Sequence, residues 1–116
     1  MNRKIHFLFL LIFFNLGAFA QYKITVQSNY NAGLAYLTYH FGKNLNVQDS
    51  AMVNNKGMLV FQGNKSLPQG IYAIVFPGKR YSVDFLMGTQ QLISIKADTL
   101  KLLSTQITGS KDNDLF

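Results

Sequence analysis

The sequence predicts an all-β fold, an antiparallel two-sheet sandwich of about eight short strands that follows a cleaved signal peptide. Three observations predict it. Short runs rich in Val, Ile, Leu, Tyr and Phe recur along the chain, the residue types that fit a pleated, half-buried surface. Turn clusters of Gly, Asn and Pro-Gly separate these runs at fairly regular intervals, as chains of short strands require. After the first twenty residues, no stretch shows a convincing amphipathic helical period. A closed barrel of the same strands is the alternative arrangement.

The elements follow in order. Met1-Asn2-Arg3-Lys4 is a short basic start, Ile5 to Leu16 is nearly unbroken Ile, Phe and Leu, and Ala18-Phe19-Ala20 places small residues where a signal peptidase reads them. This pattern is that of a secretory signal peptide over residues 1–20, with Ala18 and Ala20 flanking cleavage before Gln21. A spanning helix needs about 20 apolar residues, and the run from Phe7 to Leu16, interrupted by Asn15, is shorter. Retention as an uncleaved anchor is the alternative. The chain has no cysteine, so nothing near the cleavage site can carry a lipid. The expected product is exported, soluble in the periplasm or cell envelope, and not a lipoprotein.

The β domain is expected over 21–109. Tyr22 to Gln27 alternates polar and apolar residues and reads as a half-buried strand. Asn29 to Gly33 turns the chain into LAYLTYHF, Leu34 to Phe41, a strand aromatic enough to be covered on both faces. Gly42-Lys43-Asn44 leads to a weaker strand over Leu45 to Val53. Asn54-Asn55-Lys56-Gly57 predicts a hairpin turn, because Asn and Gly accept positive φ cheaply, with Met58 to Gln62 as the returning strand. Gly63 to Gly70, holding Pro68, is a connecting loop before the strand Ile71 to Phe76.

Pro77-Gly78 then sets a turn, Pro fixing φ and Gly taking the positive value. In Tyr81 to Leu86, Tyr81, Val83 and Phe85 share one face and Ser82 and Asp84 the other. Gln91 to Ala97 points Ile93 and Ile95 inward, and Leu100 to Ile107 completes the set. Residues 110–116 supply helix-start residues, with Ser and Asp as cap candidates. They predict the start of a truncated helical linker.

Composition narrows the function. Removal of 1–20 leaves 96 residues, room for one domain. Nine Lys and Arg against five Asp, with no Glu, give that domain a net charge of +4. The cations are spread along the chain, with only Lys79-Arg80 adjacent, whereas a nucleic-acid surface clusters them. Neither nucleic acid nor a membrane span is expected of the mature chain.

Catalytic equipment is missing. After cleavage His40 is the single histidine, too little for a nucleophile-base-acid set. Asp49, Asp84, Asp98, Asp112 and Asp114 read as solvated surface or turn residues rather than a paired acid and base. Zinc needs three or four convergent ligands, and calcium a loop dense in oxygens; Asp112-Asn113-Asp114 is the nearest approach. No enzyme, no metal and no cofactor is expected.

Three further features remain. Tyr30, Tyr36, Tyr39, Phe41, Tyr72, Phe76, Tyr81 and Phe85 are mostly core candidates, with a surface platform for sugar or peptide as the second reading. Asp49-Ser50-Ala51 and Asp98-Thr99-Leu100 look like acceptor patterns for O-glycosylation of exported Bacteroidetes proteins, at Ser50 and Thr99, against a plain turn reading. Asn64-Lys65-Ser66 fits an N-glycosylation sequon, for which most bacteria lack the machinery.

The arrangement of Tyr22-Lys23-Ile24-Thr25-Val26, the segment Asp49 to Gly63, and Pro68-Gln69-Gly70-Ile71-Tyr72-Ala73-Ile74-Val75 resembles a known group. It is similar to the uncharacterised N-terminal β-sandwich domain of secreted, thioredoxin-like proteins of Bacteroidetes. Residues 49–76 carry the likeness, and 21–110 would be covered. Ile107 to Asn113 looks like the exit from that domain into a following helical segment. In such proteins a separate C-terminal module with a Cys-x-x-Cys pair performs the redox chemistry; this chain stops before it and has no cysteine. The resemblance therefore implies a non-catalytic, exported accessory or interaction domain whose partner is a thioredoxin-like module. It carries over no functional residue. An exposed sheet edge is the expected contact. The rival expectation is a module binding carbohydrate or envelope polymer through exposed tyrosines.

Overall fold

The computed structural model of the protein describes residues 20–41, 43–98 and 105–109. Eight strands make up these residues: β1 (Tyr22–Gln27), β2 (Leu34–Phe41), β3 (Asn44–Met52), β4 (Met58–Gly63), β5 (Gly70–Val75), β6 (Ser82–Met87), β7 (Leu92–Lys96) and β8 (Gln106–Thr108). They form two four-stranded sheets, one ordered β4-β1-β7-β8 and the other β3-β2-β5-β6. The fold is the all-β, two-sheet arrangement that the alternation predicts.

Period-2 alternation decides which side chains meet between the sheets. Ile24 and Val26 of β1, Phe61 of β4, and Ile93 and Ile95 of β7 turn inward from the first sheet. Leu37 of β2, Ile74 of β5 and Phe85 of β6 turn inward from the second. Each such side chain stabilises the fold by about 1.5–3 kcal/mol through removal from water. Tyr72 lies between Tyr39 and Phe85, with ring centroids 5.9 and 6.1 Å away, in the offset, tilted arrangements that aromatic quadrupoles favour.

Four differences from the sequence expectation appear in the described residues. The turn at Asn54 to Gly57 forms, closed by Asn54 N–H on the Met58 carbonyl at 2.9 Å. It is not a hairpin, since β3 lies in one sheet and β4 in the other. The carbonyl of Gly57 accepts both the N–H and the hydroxyl of Ser28, at 2.8 and 3.0 Å, which ties the turn to the end of β1. β4 then pairs with β1 over six residues.

Pairing is antiparallel except at β1 and β7, which run parallel from Lys23↔Leu92 to Gln27↔Lys96. The connection after β6 crosses between sheets, so β7 enters alongside β1 in the same direction. Tyr81 is exposed and belongs to the turn before β6. β2 is covered on both faces only near its middle, and His40 and Phe41 are exposed. Of the expected last strand, 106–108 is described as β8, whereas 100–104, like the linker 110–116 and most of the signal segment, lies outside the described residues.

Candidate functional site

The outward faces of the two sheets differ in chemistry. On the β4-β1-β7-β8 sheet, Lys23, Thr25 and Gln27 alternate with the core residues of β1, and Ser94 and Lys96 with those of β7. Gln62, Gln106 and Thr108 continue this polar surface. Leu92, at the start of β7, is its exposed apolar residue, and Met58 and Val60 of β4 lie half-buried on the same face beside Gln27 and Thr25.

On the β3-β2-β5-β6 sheet the outward set is mostly apolar, with His40, Ser50, Ser82 and Asp84 as its exposed polar members. Register places Leu34 beside Met52, Tyr36 between Ser50 and Val75, and His40 beside Leu45. Thr38 lies between Val47 and Ala73, and Ile71 pairs with Leu86. Val47 and Met52 are 65% and 66% exposed, and Leu45, Ile71 and Leu34 are exposed as well. At the centre, Thr38 (2%) and Ala73 (4%) are buried although they point away from the core. Their small side chains sit lower than the neighbours around them. The Thr38 hydroxyl donates to the Ala73 carbonyl at 3.2 Å, which satisfies it in that buried position.

The result is a groove of about 300 Å³ bounded by Tyr36, Thr38, Leu45, Val47, Val75 and Lys79. Lys79 reaches it from the β5–β6 turn, its Nζ 5.7 Å from the centre of the Tyr36 ring, a cation–π distance. Pro77-Gly78 forms the expected turn, with Gly78 at φ 85° and Lys79 N–H donating to the Phe76 carbonyl at 3.0 Å. Lys79 itself has φ 61°. A side chain in that left-handed region costs roughly 1–2 kcal/mol, and here the backbone that carries this cost aims the ammonium over Tyr36.

The residues singled out in the sequence scatter. Ala20 and Gln21 stand at the entry to β1, where Gln21 N–H donates to the Gly63 carbonyl at 2.7 Å; Ala18 lies outside the described residues. Asp49 is a correction: it sits within β3, half-buried, rather than on solvated surface near a turn. Its Oδ2 accepts the Tyr22 hydroxyl at 3.0 Å and its Oδ1 accepts the Ser50 N–H at 2.8 Å. Desolvation and then the bond to Asp49 push the Tyr22 hydroxyl up to about 12. Burial also raises Tyr72. Ser50 is exposed on the outward face of β3, and Thr99 lies outside the described residues.

Most aromatics are engaged inside: Tyr30 stacks on Phe76 at 5.6 Å and 12°, and Tyr39, Tyr72 and Phe85 form the cluster above. Tyr36, at the groove, is half-buried. Among the described residues, no group of three or more His, Cys, Asp or Glu could hold a metal ion. No helix among them is long and apolar enough to cross a membrane.

Sequence reasoning missed two features. One is the apolar outward face, whose signal was the run Leu45, Val47 and Met52 in a strand already judged weak. The other is Gln91, whose amide accepts Leu67 N–H at 2.8 Å and donates to the Leu67 and Gly88 carbonyls at 3.1 and 2.9 Å. Two adjacent glutamines beside a turn, Gln90-Gln91, give no sequence signal for such a clamp.

Fold and surface together define an all-β, two-sheet domain with one polar and one apolar outer face. The chain belongs to the family described as Domain of unknown function (DUF4369), whose model matches residues 22–116. No curated protein and no solved structure matches it.

Proposed function

We propose that the chain is an exported, non-catalytic interaction domain that docks through the outward face of the β3-β2-β5-β6 sheet. The observation that carries this reading is the gathering of exposed apolar side chains on that face while the other sheet's face is polar. Contiguous exposed apolar surface marks contact sites. The resemblance to thioredoxin-associated domains supplies what the contact would serve: contact at this face positions or dimerises thioredoxin-like modules that carry the redox chemistry. Export to the periplasm or envelope rests on the basic start, apolar run and Ala18/Ala20 pattern of the first twenty residues.

Two of the four sheet edges, β3 and β8, are poor templates for the edge contact expected from sequence, whereas β4 and β6 are regular six-residue edges. β3 carries a bulge opposite Leu37/Thr38, where Gln48 is extra, and a bulge interrupts the ladder an added strand would use. β8 has only three residues.

In a longer relative that carries a thioredoxin-like module, deletion of this domain changes assembly or partner choice and spares thiol reduction. Loss of thiol reduction, with the module still folded, contradicts the reading. The rival, sugar binding, draws on Tyr36, Phe41 and Tyr81, the aromatics with open surface. Glycan binding that survives raised salt and falls with Tyr36→Ala or Tyr81→Ala would favour it. O-glycosylation at Ser50 or Thr99 is part of the export proposal. The native intact mass reads both it and cleavage before Gln21, and an unmodified mass ends the glycan idea.

A further inference from the structure

We infer that the occupant of the apolar face is a second copy of this chain, two β3-β2-β5-β6 sheets packing outer face to outer face. The inference rests on the interaction reading above and names its partner. A two-fold contact requires one patch to supply both a projection and a recess. This face has both: Val47 and Leu45 stand out on β3, and beside them lies the groove floored by Tyr36 and Thr38. A copy turned about a two-fold axis sets its Val47 into that groove and receives the other Val47 in its own.

Charge is self-complementary in the same way. Among the described strand residues of the face the one ionised group is Asp84, paired with Ala73, and Lys79 reaches in over Tyr36 from the turn. The two-fold brings the cation of each copy toward the carboxylate of the other. The outer face of the first sheet lacks this property: its strand charges, Lys23 and Lys96, are of one sign. Stacked sheets pack about 10 Å apart with strands nearly aligned, and exposed aliphatic side chains of this length fill that space.

The size of the patch sets the strength. Four strands about 4.8 Å apart, each about six residues long, give a face roughly 20 Å by 20 Å. That is small among specific interfaces, so the association belongs to the transient, micromolar class.

The test is sedimentation of the protein, as it is recovered from the cell, over a concentration series reaching about 100 µM. The expected result is a concentration-dependent dimer. Val47→Asp, at an exposed position that folding tolerates, makes it monomeric. Lys79→Asp leaves two carboxylates on each face and Asp84→Lys two cations, so each variant alone associates about tenfold more weakly. Mixed together they recover the association as a heterodimer, which no contact other than one copy with another predicts.

A folded chain that stays monomeric throughout overturns the inference, as does a dimer indifferent to Val47→Asp. Photo-crosslinking from position 47 in the cell separates the two readings. An adduct with a different protein overturns the second copy and keeps the interaction face; absence of any adduct from a monomeric chain removes both.

Discussion

Tyr22 and Asp49 join the two sheets at one margin of the sandwich through a single bond between a buried phenol and a half-buried carboxylate. Because the folded state holds the Tyr22 proton more tightly, pushing it from 10.0 to about 12, the unfolded chain ionises first as pH rises. The stability this group contributes is complete below pH 10 and is lost as pH climbs through about 12. Tyr22→Phe removes that share of the alkaline loss, read as a flatter dependence of the denaturation midpoint on pH over this window. At neutral pH the same variant leaves the Asp49 Oδ2 without its donor, while Oδ1 keeps the Ser50 N–H, and lowers stability by about 1–3 kcal/mol. Gly57 is the second sensitive residue. It has φ 80°, and a Cβ there would run into the Ser28 and Tyr30 carbonyls. Gly57→Ala destabilises by more than the roughly 1 kcal/mol of a left-handed alanine alone, measurable as a shift in the urea midpoint at unchanged slope.

Within the elements, alternation and turn chemistry made nearly all strand positions readable. Val83 and Phe85 point inward as their spacing requires, and Pro77-Gly78 turns where Pro and Gly set φ of opposite sign. Pairing was less legible. Asn54 and Gly57 fix the shape of a turn, but whether the next strand returns beside β3 or crosses to β1 depends on contacts made elsewhere, such as Ser28 on the Gly57 carbonyl. Parallel pairing of β1 with β7 has the same origin, since strands far apart in sequence leave no local sign of being neighbours. The Gln91 clamp holds the loop before β5 against the one before β7. Gln91→Ala deletes three hydrogen bonds and strands the buried Leu67 backbone, at a cost of about 1–3 kcal/mol. The expected readout is faster proteolysis between Gly63 and Gly70 with the rest of the domain intact.

Across the whole molecule, the arrangement of its two outer faces is what points to function. The inner faces were legible because core side chains obey one period, whereas the outer apolar face emerges only when β2, β3 and β5 are laid side by side. Leu45, Val47 and Met52 read in isolation as a poor strand; beside Tyr36 and Val75 they form one surface with a groove in it. Thr38 was equally silent, since nothing local marks a small residue as the floor of a recess. The central claim is that this face, and not the polar face of the other sheet, meets a partner. Photo-crosslinking in the cell from position 47, with position 25 on β1 as the comparison, tests it most directly. The account predicts a discrete adduct from position 47 and none from position 25. An adduct from position 25 with none from position 47 would contradict it.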